Sequence, residues 1–403
     1  MVSGSLGERI AAYRRRRGLS QTALAGLIGR SESWLSQVER GVRSVDRMSI
    51  LLDMAKVLHV DVESLTGRPW QYAPNGGTTP ADLDDVRRYF ARYDHLLGED
   101  FEPVIDFSGL RSLASNAHMR YQAAEYEAVV TDLPEILLAA DSLHQVVDAS
   151  DRREMLLSYV STYVVAAKLL TKMGAADLAQ LAADRCATAA LEAGSLEAQG
   201  MAAYQVVCAL LRADRPEDAE NLAMKMATRI SRQARSDAPT LVSVAGALWL
   251  ISAVIAGRRT DRSEAYQRLD HAESLAGMLG HDANFAWTAF GPTNVAIHRV
   301  SVAAELGDAG EALQVAAAVN PDALPSGLNS RRAQVYLDLA WAQAQRKRDS
   351  EAILHLLEAE RVAPNAIRYN VVVREMVREM LSRSKRSKST ALHNLAVRSG
   401  VLD

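Results

Sequence analysis

The sequence predicts an all-α protein in which a small N-terminal domain precedes a long array of helix pairs. Aromatic residues make up only 5% of the 403 residues, so Ala, Leu, Val and Met must build the core, a mixture that favours closely packed helices. Apolar residues recur at i, i+3, i+4 and i+7 along most of the chain, whereas strict alternation is rare. A helix–turn–helix pattern also returns at intervals along the C-terminal part.

The N-terminal domain is predicted to contain five short helices, which cover residues 6–17, 21–28, 32–40, 49–58 and 62–65. Ser20 and Ser31 precede the second and third helices, where a side-chain oxygen can cap free backbone N–H groups. Gly29 and Gly41 follow these two helices as stop signals. Two short helices joined by a glycine-containing turn form a helix-turn-helix pattern.

Further motifs accompany this turn. The sequence reads GLSQxxLAxxIG from residue 18, LSxVExG from residue 35 and AxxLxV from residue 55. Together these motifs resemble the XRE family, the Cro and lambda-repressor-like DNA-binding domains. The resemblance implies a five-helix domain whose third helix lies in the major groove of a double-stranded DNA operator.

The resemblance also implies which side chains contact DNA. The candidates that reach base edges are Glu32, Ser33, Ser36 and Gln37. The candidates that contact or support contacts to the phosphate backbone are Gln21, Arg40, Arg43 and Arg47. The chemistry agrees, because Gln can pair with adenine, Glu can accept from cytosine and Ser suits either.

The same resemblance implies a role for Arg14 and Glu39, whereas Trp34 and His59 depart from the pattern of the family. Arg14 and Glu39 are expected to form an ion pair that holds the first helix against the third. Trp34 occupies a position on the third helix where smaller residues are common, so it either packs on sugar and thymine methyl groups or supports the turn. His59 stands where a left-handed glycine is frequent, which indicates a conformational role.

Charge is distributed unevenly along the chain. Residues 1–70 carry eleven Lys and Arg against seven Asp and Glu, a balance of +4, whereas the whole chain has a formal net charge of −3. A basic module joined to an acidic body is typical of a nucleic-acid-binding domain with a separate regulatory part. The alternative is an uneven solvated surface on a helical bundle that never touches DNA.

The chain changes composition between residues 66 and 80, where glycine, proline and threonine accumulate. Such a stretch cannot sustain a helix. We therefore expect a DNA-binding domain at 1–66, a linker at 67–80 and a helical repeat domain at 81–403.

The repeats of the C-terminal part are marked by small alanines near the start of the second helix of each pair. These alanines are Ala179, Ala219, Ala265, Ala312 and Ala352. Their spacings of 40, 46, 47 and 40 residues predict helix pairs stacked in an α-solenoid.

The last of these units resembles a tetratricopeptide repeat. The matching residues are Tyr336, Leu339, Ala340, Ala352, Leu356, Ala359 and Pro364. The resemblance extends with degenerate units over residues 120–380, and the whole arrangement resembles the actinobacterial regulators that join an XRE domain to such repeats. It implies a homodimer formed through the repeat domain, and a peptide or small-molecule effector.

The concave face of such a solenoid is lined by the first helix of each pair. The polar and aromatic residues that the repeat register places there are Lys168, Tyr204, Gln205, Asn294, His298, Ser301, Gln334, Asp338 and Trp341. Asn294 follows Gly291 and Pro292, so a positive helix start with free N–H groups could receive a carboxylate or a peptide backbone. The alternative is a solvated polar surface without a ligand.

The remaining observations exclude other classes. We expect no cofactor, no metal site and no enzyme activity, because the nine histidines lack ligand spacing and no phosphate-binding or nucleophile motif occurs. No stretch of about 18 uninterrupted apolar residues is found. Charged residues occupy the region where a secretory signal would be apolar, so a cytoplasmic protein is expected. Cys186 and Cys208 are expected to be reduced, and the basic run 383–388 to be a solvated connection.

The interpretation that unites these observations is a sequence-specific transcriptional regulator, nucleoid-associated when bound to DNA. Its N-terminal domain would read an operator as a dimer, and its repeat domain would dimerise and sense a signal. The alternative is a scaffold whose repeats hold a partner protein and whose N-terminal domain merely tethers it to DNA.

Overall fold

The computed structural model describes residues 5–17, 19–43, 45, 48–58, 60, 65, 83–93, 105–383 and 389–402. These residues form helices and contain no strand, which confirms the predicted all-α fold class. The chain divides into two compact units, residues 1–79 and 80–403. Several predictions fall outside the described residues, namely the linker 67–80, Arg47, His59, helix 62–65 except Leu65, and the basic run after Arg383.

The N-terminal unit contains helices α1 Leu6–Arg16, α2 Gln21–Leu27, α3 Glu32–Glu39 and α4 Met48–Leu58. The serine caps are confirmed: the Ser20 hydroxyl accepts from the Ala23 backbone N–H at 3.0 Å, and Ser31 accepts from Trp34 at 3.2 Å. One buried face of each helix points to a common core, whose most buried members are Ile10, Leu24, Leu35, Met54 and Leu65.

The C-terminal unit contains sixteen further described helices. The first eight are α5 Leu83–Phe90, α6 Phe107–Gln122, α7 Tyr126–Val146, α8 Arg152–Met173, α9 Ala176–Glu192, α10 Leu196–Arg212, α11 Pro216–Ser231 and α12 Pro239–Arg258. The others are α13 Arg262–Leu279, α14 Pro292–Glu305, α15 Ala309–Ala316, α16 Asn329–Gln345, α17 Asp349–Val362, α18 Pro364–Arg368, α19 Val371–Arg383 and α20 Thr390–Arg398.

The five alanines that mark the repeats occupy equivalent positions. Each is the fourth residue of the second helix of its pair and is fully buried. Five residues before each alanine, the backbone enters the left-handed region, at residues Gly174, Asp214, Thr260, Gly307 and Lys347. The next residue in each turn donates its N–H to the carbonyl five residues earlier, as from Ala175 to Leu170 at 3.0 Å. The repeated unit is therefore a helix pair with one shared turn geometry.

A sixth pair, α6 with α7, precedes those marked by alanine. Its turn has the same left-handed residue, Ala124 with φ of 67°, but buried Val129 replaces the alanine. The first helices of successive pairs pack side by side from α6 to α16, and α16 also contacts α6. Hydrogen bonds join the two ends, from Asn365 to the Ala124 carbonyl at 3.1 Å and from Tyr369 to Glu127 at 2.7 Å. The array thus closes on itself.

Helix α12 is long and apolar enough, by length and composition, to cross a membrane. Serines divide its apolar run, but its central residues carry no charge. In the fold, 78% of the most apolar 18-residue stretch of this helix is buried inside the protein. It is the core helix of the fourth pair.

Candidate functional site

The third helix is held in place by a polar cluster behind it. The Arg14 guanidinium binds Glu39 through two bonds, Nε to Oε1 at 2.6 Å and Nη2 to Oε2 at 2.9 Å, which confirms the predicted ion pair. Gln21 also donates to Glu39, at 2.7 Å. Leu35 and Val38 fix the same helix to the core. Helix α3 therefore has one buried side and one side facing away from its own unit.

The pKa values of this ion pair reflect its surroundings. Burial opposes ionisation of the Glu39 carboxyl, but hydrogen bonds from Arg14 and Gln21 outweigh it, and the pKa of Glu39 lies below its usual value. The hydrogen bond to Glu39 raises the pKa of Arg14. Both groups are charged at neutral pH.

The predicted base-reading residues lie along the outward side of α3. Glu32 and Ser33 are exposed at its start, whereas Ser36 and Gln37 are half-buried further along. Glu32 accepts a hydrogen bond from the Thr22 hydroxyl at 2.7 Å, so its carboxylate is partly oriented by α2. The structure brings the four base-reading candidates onto one helix face.

The residues predicted to contact the DNA phosphate backbone have different positions. Arg40 and Arg43 are exposed beyond the end of α3, while Arg47 lies outside the described residues. Gln21 uses its amide within the domain, in the bond to Glu39 described above. Trp34 packs against the N-terminal core, and the Arg30 guanidinium lies 5.7 Å from the centroid of its ring. This packing agrees with a role of Trp34 in supporting the turn.

The second candidate site is a cavity of about 220 Å³ in the C-terminal unit. It is lined by the first helices of the first, second, third, fourth and sixth pairs, and residues 286–289 cover the side next to the fifth pair. Four residues predicted for the effector groove line it, namely Lys168, Tyr204, Gln205 and Gln334.

The other predicted groove residues lie elsewhere. Asn294 and His298 are buried on α14, with the His298 ring nitrogen Nδ1 2.8 Å from the Asn294 carbonyl. Asp338 is buried and accepts from Gln334 at 2.8 Å and from Ser301. Trp341 packs into the hydrophobic core. The predicted groove residues that do not line the cavity are therefore Asn294, His298, Ser301, Asp338 and Trp341.

The helix start before Asn294 is also not free, contrary to the sequence-based prediction. The Asp282 carboxylate accepts from the Thr293 backbone N–H at 2.9 Å. An acidic side chain of the protein therefore already occupies the position where an external carboxylate was expected to dock.

The cavity has a cationic lining. Three described residues contribute positive charge, namely Lys168 and Lys172 on α8 and Arg331 on α16, and no described lining residue is Asp or Glu. Burial lowers the pKa of Lys168 to about 8 and that of Lys172 to about 8. Sequence reasoning missed Lys172 and Arg331, although the spacing of Lys172 four residues after Lys168 places both on one helix face.

A short segment, residues 284–289, crosses one side of the cavity, and we call it the strap. Three of its residues, Ala286, Trp287 and Ala289, have left-handed φ values of 49°, 58° and 53°, although none of them is glycine. The Trp287 ring stacks on His118, with 4.6 Å between centroids, and its carbonyl accepts from Lys168 at 2.9 Å. Asn284 and Gln122 exchange two amide hydrogen bonds of 2.8 and 3.0 Å. These contacts stabilise a strained backbone.

The fold and these surfaces define a class: a helical protein with an N-terminal helix-turn-helix domain followed by a unit of helix pairs. Residues 5–66 match the family model described as Helix-turn-helix domain. Among solved structures, the chain is similar to PlcR of Bacillus thuringiensis, in a crystal structure with the peptide PapR7 and DNA. The identity is 18% and the TM-score 0.32, over 69% of this chain and 96% of that chain. No curated protein matches the chain.

Proposed function

We propose that this protein is a sequence-specific, XRE-type transcriptional regulator that binds a double-stranded DNA operator. The observation that carries the proposal is the arrangement of α3. Its apolar side and Glu39 are fixed from behind, and its opposite side presents Ser33, Gln37 and the exposed Arg40. A rigidly held helix with amide and hydroxyl groups outward and a cation at its end is suited to reading bases in the major groove.

The domain organisation proposed for this function is a DNA-binding domain at 1–66, a linker at 67–80 and a repeat domain at 81–403. One small domain offers few contacts, so tight specific binding calls for two copies on half-sites about 34 Å apart. We place dimerisation in the repeat domain. Such a regulator acts on the nucleoid in the cytoplasm and needs no enzyme activity.

We further propose that the repeat domain senses a peptide or a small molecule. The cationic cavity, closed by the ring of helix pairs, supports this role, because it provides a site separate from α3. Ligand binding would couple to operator binding through the spacing of the two DNA-binding domains, a coupling typically of about 1–3 kcal/mol.

Selection of bound genomic DNA by the full-length protein, followed by sequencing, tests the DNA-binding role. We expect one enriched operator sequence. Fluorescence anisotropy on that operator should show weaker binding by Ser33→Ala and Gln37→Ala. The matched control is Gln233→Ala, an exposed position in the repeat unit, which should leave the affinity unchanged.

The other outcomes discriminate against the proposal. Binding without sequence preference would favour a scaffold tethered to DNA, since phosphate contacts alone carry no sequence information. Absence of DNA binding at every ionic strength would exclude both roles. Analytical ultracentrifugation of the free protein checks the dimer separately.

A further inference from the structure

The positively charged side chains that line the cavity have no carboxylate partner among the described residues. Lys168 donates to the Trp287 carbonyl, and the Lys172 ammonium lies 5.7 Å from the centroid of the Tyr126 ring. Both contacts are to neutral groups. No described carboxylate forms a salt bridge with Lys168, Lys172 or Arg331. The ionisable groups that act on the two lysines are the thiols Cys186 and Cys208 and the cations Arg212 and Arg331, not carboxylates.

Cations held away from water without a counter-ion cost stability. Three half-buried cations surround this single cavity, contributed by helices of the second and sixth pairs. An anion from outside would offset part of this cost, because it would supply the missing charge close to all three. The charge pattern is therefore that of a site prepared for an anion.

The remaining lining of the cavity indicates what accompanies the anionic group. Tyr121, Tyr126, Tyr204 and Trp287 supply aromatic surface, and Gln205 supplies an amide. The Thr171 hydroxyl also faces this lining, and its buried oxygen has no hydrogen-bond partner among the described residues. A ligand with an aromatic ring and a polar substituent would pack against these rings and form hydrogen bonds with these polar groups.

The volume of the cavity limits the size of the ligand that it can hold. Its volume of about 220 Å³ lies below the range of about 300–1,000 Å³ that is usual for drug-sized ligands. The strap closes one side, and the contact of α16 with α6 closes the ring of first helices. The small volume favours one small molecule over an extended peptide.

We propose that the cavity binds a small organic anion, a carboxylate or a phosphate ester on an aromatic body, with Lys168, Lys172 and Arg331 holding the anionic group. The proposal deepens the sensing role proposed above and rests on it for its biological consequence. Binding itself requires only the C-terminal unit, so it can be measured in the full-length protein without DNA.

Isothermal titration calorimetry with probes of equal shape and different charge tests the charge requirement. The probes are benzoate, neutral benzamide and cationic benzamidine, with phenyl phosphate added to separate a phosphate ester from a carboxylate. We expect benzoate, phenyl phosphate or both to bind at least about tenfold more tightly than benzamide, and benzamidine not to bind. If neither benzoate nor phenyl phosphate binds more tightly than benzamide, the proposal is overturned.

Variants of the lining residues test whether the anion binds in the cavity. Lys168→Met and Arg331→Met should each weaken the better anion by about tenfold or more, and Arg331→Lys should retain part of the affinity. Lys225→Met removes an exposed lysine from α11 and should change nothing. Circular dichroism checks that each variant is folded. If the anion binds Lys168→Met and Arg331→Met as tightly as the unaltered protein, its site is elsewhere and the proposal is wrong.

These titrations, together with the selection of bound genomic DNA, separate this proposal from the DNA-binding role. Anion binding without any operator preference would leave the cavity site intact and refute the regulator. An operator preference without anion binding would leave the regulator intact and refute the cavity site.

Discussion

Arg14 and Glu39 form a two-bond ion pair that joins the start of the N-terminal unit to the end of its third helix. The side chains are 12% and 6% exposed, so the pair lies mostly out of water. Gln21 adds a third polar contact to the same carboxylate. Since α3 carries the candidate base-reading residues, this pair determines how precisely that helix is oriented.

Loss of the Glu39 charge should loosen the N-terminal unit. We expect Glu39→Ala to destabilise this unit by about 3 kcal/mol, because Arg14 would remain buried without a counter-ion. Hydrogen–deuterium exchange of α1 and α3 in the full-length protein measures the effect on this unit alone. Asp53→Ala, which removes an exposed carboxylate from α4, should leave exchange unchanged. Equal exchange in both variants would show that the pair contributes little.

The same pair predicts an acid-dependent loss of stability. The pKa of Glu39 is lowered in the folded state, so its contribution is present above the unfolded value of about 4.3 and is lost as pH falls through the folded value. The protection of the α3 amides, measured relative to their intrinsic exchange rate at each pH, should therefore fall on acidification below about pH 4.5. Glu39→Gln should weaken this dependence, and an unchanged pH profile in that variant would assign the acid sensitivity to other carboxyls.

Arg40 and Gln37 should affect DNA binding in different ways. Arg40→Ala is expected to weaken binding to all sequences alike and to reduce the salt slope by about 1, since a phosphate contact carries no sequence information. Gln37→Ala should cost about 1–3 kcal/mol at one base position only. Titrations of operator variants at several salt concentrations measure both effects. Similar losses across every operator variant for both changes would contradict the assigned roles.

Local signals predicted the local structure well. Ser20 and Ser31 cap their helices because a serine before an amphipathic run satisfies the first N–H groups whatever its tertiary context. The repeat alanines were equally visible, because five of the six helix pairs place a fully buried small side chain at that position. The pair containing Val129 escaped detection, since the larger residue broke the pattern although the turn before it is the same.

Features that depend on distant parts of the chain could not be predicted. Closure of the helix array results from small rotations summed over six pairs, and no single repeat encodes it. The strap depends on left-handed Trp287, which its sequence does not suggest and which contacts with Gln122 and Lys168 stabilise from elsewhere. The repeat register therefore found Lys168 and Tyr204 but also selected Trp341, which faces the core.

The shared turn of the repeats offers a stability test. Thr260 adopts φ of 60° where Gly307 has φ of 80° in the next pair, and a β-branched residue is strained in this region. We expect Thr260→Gly to stabilise the C-terminal unit by about 0.5–1 kcal/mol and Gly307→Thr to destabilise it by about 1–2 kcal/mol. Differential scanning calorimetry measures both. A lower midpoint for Thr260→Gly would show that local contacts of the threonine outweigh its backbone strain.

Lys168 should lower the stability of the ligand-free protein at neutral pH. Burial reduces its pKa to about 8 in the folded state, against about 10.4 when unfolded, so the cost is fully present below pH 8 and is relieved as pH rises towards 10.4. Lys168→Met should therefore stabilise the C-terminal unit by about 2 kcal/mol at pH 7, after allowance for the lost bond to Trp287. The gain should shrink by pH 10. Calorimetry at both pH values measures it, with exposed Lys225→Met as the control that should show no change. If Lys168→Met instead lowers the stability of the C-terminal unit at pH 7, the bond from Lys168 to the strap stabilises the protein more than its buried charge destabilises it. The lysine would then have a structural role that needs no ligand.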